Sequence, residues 1–214
     1  MKRVLLAMIG LMALPALGFA QSVDFCSDCT LGIYDDAQLS KNFGTTTPFV
    51  AKEIFVGINL GNGRTGVTAI EFSISGFNPA NVLVTNTEGA TTVAPNVLLG
   101  NINAPADTTT GSGGMNAAWM ECVVGSGPLL KLTLLPINAT PNTILRVLHR
   151  YPPNNPNYLQ SPVITACDNP AFTASRVKGG CYVLAWDGST NPTECPLVTP
   201  VAPSTWGKVK TLYN

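Results

Sequence analysis

Six cysteines are the residues of this 214-residue chain with the most chemistry open to them: Cys26, Cys29, Cys122, Cys167, Cys181 and Cys195. Thiolates ligate metals, run redox exchange or pair as disulfides. Cys26-Ser27-Asp28-Cys29 has the C-x-x-C spacing of a redox centre or half a zinc site. A redox centre of that kind needs a βαβ setting, and a zinc site needs a second pair of ligands. Neither surrounds this motif, so the cysteines are expected as disulfides, with a connectivity that spacing leaves open. Cys26 and Cys29 would anchor the N-terminus locally, while Cys167, Cys181 and Cys195 take part in stapling a C-terminal hairpin.

The other reactive side chains are thinly spread. His149 is the single histidine, which excludes a histidine-rich metal site, and no G-x-S-x-G elbow accompanies it. Gly61, Gly63 and Gly66 spell G-x-G-x-x-G, but a dinucleotide site needs a helix next. The residues after Gly66 are V-T-A-I-E-F-S-I, β-branched and alternating, so a hairpin turn is expected. A carboxylate pair of the glycosidase type would meet only in the fold, and none is nominated among the twelve acids. Asp35, Asp36 and Asp168 are candidate oxygen ligands for a structural calcium, against the plainer roles of turn and cap. Trp119, Tyr151, Tyr158 and Trp186 are candidate ligand-contact aromatics, each with a flat apolar face for a sugar ring, or else packing residues. No catalytic or cofactor-binding residue emerges.

These groups need elements to position them. Residues 1–20 have the form of a signal peptide: Lys2 and Arg3, an apolar run from Val4 to Leu17, then Gly18-Phe19-Ala20. Removing them leaves ten basic residues against twelve acidic ones, scattered and without a basic stripe. Nucleic acid is thereby excluded as a partner, and no later apolar run is long enough to span a bilayer as a helix. Charged residues make up only 11% of the chain, the composition of an extracellular β protein.

Val67 to Ser75 alternates, with Ile70, Phe72 and Ile74 on one face. Leu130, Leu132 and Leu134 alternate with Lys131 and Thr133 in the same way. Further strands are expected over Leu31–Tyr34, Phe49–Leu60, Val82–Val84, Val97–Leu99, Met115–Val124, Thr143–Tyr151, Val163–Cys167, Phe172–Val177 and Cys181–Trp186, with Gln21–Thr30 an irregular lead-in. Nine to eleven short strands at even spacing predict an all-β, antiparallel β-sandwich over residues 21–187. A Pro/Thr-rich linker over 188–203 and a short amphipathic tail over 204–214 complete the expected organisation.

The segment G-V-T-A-I-E-F-S-I-S-G-F-N-P-A-N-V-L-V-T-N-T-E-G resembles the cohesin-like branch of the carbohydrate-binding-module sandwiches. Phe77-Asn78-Pro79 stands where Tyr-Asp-Pro is usual, and the tail resembles those of uncharacterised secreted bacterial proteins. The resemblance implies a jelly-roll or Ig-like sandwich that binds an extracellular protein or a polysaccharide, without catalysis or cofactor. A secreted, non-catalytic binding or structural module at the cell surface is the expectation. A secreted glycosidase-type hydrolase is the alternative.

Overall fold

The computed structural model describes residues 24–61, 63–102, 113–150, 161–168 and 174–189. The expected signal peptide and C-terminal tail lie outside them, as does all but the start of the linker.

Twelve strands are present: β1 (Asp24–Tyr34), β2 (Phe43–Gly44), β3 (Lys52–Asn59), β4 (Gly66–Ser75), β5 (Val82–Gly89), β6 (Val97–Asn101), β7 (Gly114–Val124), β8 (Gly127–Pro136), β9 (Thr143–Leu148), β10 (Val163–Ala166), β11 (Ala174–Gly179) and β12 (Cys181–Leu184). Hydrogen bonds link them in the order β2-β12-β9-β4-β10-β11-β1-β3-β8-β5, with β7 on the far side of β4 and β6 beyond it. This open sheet folds over on itself into a sandwich. One layer holds β6, β7, β4, β9, β12 and β2, the other holds β5, β8, β3 and β1, and β10 with β11 turns between them.

Side-chain alternation drives that folding. Ile54, Val56 and Ile58 of β3 and Leu130, Leu132 and Leu134 of β8 are all fully buried. The register sets Ile54 beside Leu132 and Val56 beside Leu130. From the facing layer come Ile70, Phe72 and Ile74 of β4 with Leu145 and Val147 of β9, in the same core cluster. Burying one such side chain contributes roughly 1.5–3 kcal/mol. A register slip of one residue would turn the whole set outward.

The corner after β4 follows its sequence. Gly76 has φ +95°, a conformation open to glycine, and the amides of Asn81 and Val82 donate to the Asn78 carbonyl at 2.8 and 2.9 Å. Phe77 turns into the core.

Two expectations need correction, and the strand pairing is more mixed than alternation alone implies. The Gly61–Gly66 turn does not close a hairpin: β3 pairs with β1 and β8, while β4 pairs with β7, β10 and β9. The turn carries the chain from one layer to the other, because the edge of β3 is taken by Thr30–Tyr34 of β1. The sandwich is mainly antiparallel, but β1 with β11 and β2 with β12 run parallel. The lead-in before Thr30 is strand, since Asp24–Cys26 ladders onto Ser175–Val177. Gly179-Gly180 carries the chain from β11 into β12. The Gly180 amide donates to Leu31 in β1 and its carbonyl accepts from Val147 in β9, at 2.8 and 2.9 Å.

Both disulfides with described partners sit at register breaks. The β1–β11 pairing jumps from Cys26/Val177 to Thr30/Lys178, and the Cys26–Cys29 bond closes the bulge between. The β4–β7 pairing jumps from Val67/Val123 to Ala69/Ala118, and the Cys122–Cys167 bond ties that bulge to the end of β10. Cys167 therefore does not help staple a C-terminal hairpin. Cys181 is also disulfide-bonded, and Cys195 lies outside the described residues.

Two substitutions test this arrangement. The Cys122→Ala/Cys167→Ala double variant releases a link across 45 residues and should cost about 3–4 kcal/mol in denaturant unfolding. At Gly179 an added Cβ would stand 2.0 Å from the Val147 carbonyl oxygen, a backbone atom with little room to give. Gly179→Ala should lower stability by roughly 1–3 kcal/mol, read as a fall in the denaturant midpoint at constant slope.

Candidate functional site

The densest polar constellation surrounds Asp35, at the end of β1. Lys52 of β3 places its Nζ 2.6 Å from Oδ1, and Lys41 places its own 3.3 Å from Oδ2. The Tyr182 hydroxyl, on a fully buried side chain of β12, donates to Oδ1 at 2.7 Å. Burial raises the Asp35 pKa, but hydrogen bonds from Lys52, Tyr182 and Lys41 outweigh it and hold the carboxyl below its ordinary 3.8. The Tyr182 phenol is pushed far up, by burial first and by Asp35 second. Gly44 completes the enclosure, since a Cβ there would meet Asp35 Oδ1 at 2.1 Å and Tyr182 Oη at 2.3 Å. The cluster clamps four strands together and leaves no room for a substrate.

The three acids nominated for calcium are not assembled into a site. Asp35 is neutralised by two ammonium groups, Asp36 accepts from the amide and hydroxyl of Ser40 at 3.0 and 2.8 Å, and Asp168 pairs with Arg64 at 3.4 Å. Among the described residues, the one metal-sized trio of His, Cys, Asp or Glu is Cys26, Asp28 and Cys29. Its two sulfurs are bonded to each other. Burial lowers the His149 pKa. Its main-chain carbonyl, not its ring, accepts from the buried Ser73 hydroxyl.

Of the aromatics nominated for ligand contact, Trp119 is 4% exposed and donates from Nε1 to the Val93 carbonyl at 3.1 Å. A ring so enclosed offers no face to a sugar. Trp186 packs its ring 4.5 Å from that of Phe43. Tyr151 and Tyr158 lie outside the described residues.

The outward faces of the two layers differ in character. On β3, β8 and β5 the exposed row carries charge: Lys131 bridges Glu53 at 3.0 Å and Glu88 at 2.6 Å. On the opposite layer, Ala69 stands beside Ala118 and Thr165, and Glu71 beside Asn116 and Val163. The next strand, β6, adds Val97 and Leu99 to the same two rows. Small side chains between these walls leave an open cleft of about 350 Å³, with Glu71 as its one carboxylate. Farther along β7, Met120 and Val124 are 86% and 78% exposed. The cleft went unseen in the sequence because five strands, spread from Ala69 to Ala174 along the chain, build it. Its one local signal is the placing of Ala69 and Ala118 at outward positions of alternating strands.

The class defined so far is an all-β sandwich with one charged and one apolar outer face. No protein-family model matches the sequence, and no curated protein is similar to it. Solved structures of cohesin modules are similar in fold. A cohesin module from a Clostridium perfringens family 33 glycoside hydrolase is 12% identical, with a TM-score of 0.45, covering 73% of this chain and 98% of that one. The sixth cohesin of Acetivibrio cellulolyticus scaffoldin B, solved with a Cel5 dockerin, is also 12% identical, with TM-score 0.45 and coverage of 74% and 99%. A type III cohesin of the Ruminococcus flavefaciens ScaE anchoring scaffoldin is 11% identical, with TM-score 0.42 and coverage of 74% and 88%. The likeness is one of fold alone and carries no function across.

The Asp35 clamp makes a pH-dependent prediction. With its carboxyl held low, the stabilisation it provides is complete above the ordinary 3.8 and drains away as pH falls through the lowered folded value. Asp35→Asn should cost roughly 1–3 kcal/mol at neutral pH, and its unfolding free energy should vary less with pH below 4 than that of the parent chain. Equilibrium unfolding from pH 2 to 7 measures both.

Proposed function

We propose that this chain is an exported, non-catalytic binding module that docks a protein partner on the outer face of β6, β7, β4 and β10. The observation that carries the proposal is the contrast between that apolar, cleft-bearing face and the charged face opposite. Monomeric proteins rarely leave a contiguous apolar surface without a use. The cleft floor, made of Ala69, Ala118 and Thr165 and bordered on the β6 side by Val97 and Leu99, suits an inserted apolar side chain. A protein is favoured over a polysaccharide because no aromatic ring lines the cleft among the described residues, and sugar recognition uses such rings as platforms. Export is supported by the leader-like first twenty residues and by disulfides, which persist in oxidising compartments.

The alternative, a glycosidase, needs two carboxylates facing each other across a cleft. Glu53 and Glu88 share a sheet face, but both are tied to Lys131 there.

Immobilised protein should retain a partner from its host's extracellular proteins and give no signal on a glycan array. Ala118→Arg fills the cleft and should weaken retention by at least about tenfold without changing the unfolding midpoint. Retention unaffected by that substitution, or turnover of a glycoside by the parent chain, would remove the proposal.

A further inference from the structure

Among the described residues three strands have a single laddered neighbour: β2, β5 and β6. Exposed strand edges are templates for further pairing, and proteins blunt them with brevity, bulges, prolines or charges. β2 is two residues long. β5 breaks register between Val84 and Asn86 and carries Glu88, paired with Lys131. Among the described residues, β6 shows none of these defences. It runs in unbroken register with β7 from Val97 to Asn101, without proline or charge. Val97 and Leu99 are 41% and 61% exposed.

We infer that the edge formed by Val97–Gly100 pairs, antiparallel and about a two-fold axis, with the same edge of a second copy of this chain. Along Val97–Gly100 alternate amides and carbonyls point away from β7, and a partner strand is placed to satisfy them. The chain's charge distribution favours a second copy over an unrelated strand. From Ala90 to Ala106 there is no charged residue, so two identical edges approach without the like-charge repulsion that normally keeps identical surfaces apart. In a two-fold antiparallel pair, Val97 and Leu99 of one copy meet Val97 and Leu99 of the other on the same face. The interface is thus self-complementary, as an isologous contact requires. The layer of β7 and β4 then continues through both copies, with the two clefts on one shared surface.

The test is sedimentation of the full-length protein, in the form its host produces, over a wide concentration series, joined to hydrogen exchange. A monomer–dimer equilibrium is expected, with amides in Val97–Gly100 exchanging more slowly in the dimer. Leu99→Lys sets like charges across the axis and should shift the dimerisation midpoint at least about tenfold higher. Phe49→Lys, at a position 72% exposed and outside β6, should leave the midpoint unchanged. A chain monomeric at every concentration overturns the inference and leaves a strand from a different protein as the occupant. A dimer that Leu99→Lys leaves intact, or that leaves the β6 amides unprotected, overturns it too. Partner retention at Ala118 is read separately, so failure of either assay does not decide the other.

Discussion

Everything in this sandwich is arranged around β4, which is hydrogen-bonded along both sides. β7 takes one side, while β10 and then β9 take the other. A strand so enclosed has no solvent to satisfy its peptide groups, so its neighbours must supply every partner. Its inward face is covered throughout, and its outward face is covered at Ser73 while Ala69 lies open in the cleft. Phe72 and Ile74 fill the core, and Ser73 on the reverse face is fully buried with its hydroxyl on the His149 carbonyl. The remaining strands spread outward from this one, and the layer switch from β10 to β9 along its length creates the corner from which the second layer begins.

That arrangement also determines where chemistry is absent and where recognition has room. Asp35 and Tyr182, two titratable groups with shifted ionisation, are used up in joining β1, β2, β3 and β12, and the exposed charges of β3, β5 and β8 pair with one another. What remains unspent is shape: a shallow recess of small side chains with aliphatic walls. Strongly shifted ionisation often marks a reactive centre. Here it marks a joint, because the shifted pair faces inward, with the glycine backbone at position 44 packed against it.

Much of the layout could be read from alternation alone. β4 and β8 follow the period-two pattern of Ile70-Phe72-Ile74 and Leu130-Leu132-Leu134, and those residues form the core. The pattern placed most strands, including Thr143–Leu148, where helical and extended spacing compete and Pro152-Pro153 argues for extended, but it missed β2 and the first half of β1. Alternation could not say which strands pair. The glycines between β3 and β4 announce a reversal without naming a partner, and the parallel ladder of β1 on β11 joins residues about 150 apart in the chain. Trp119 shows the same limit at the level of a side chain. Its type suits a sugar platform or a core equally, and only its neighbours decide. The recess was hidden for the same reason, since each alanine in it is unremarkable within its own strand.

The covalent links have a consequence for how the chain matures. Cross-links usually tether distant loops, yet Cys26–Cys29 and Cys122–Cys167 each bind the chain where a ladder skips residues. Thiols bond only when their α-carbons come within a narrow span, here 5.2 and 5.7 Å. A strand threaded out of alignment would carry its sulfur to the wrong side of the layer. Oxidation therefore works as a proofreader, sealing the one alignment in which the skipped residues fall at the right place.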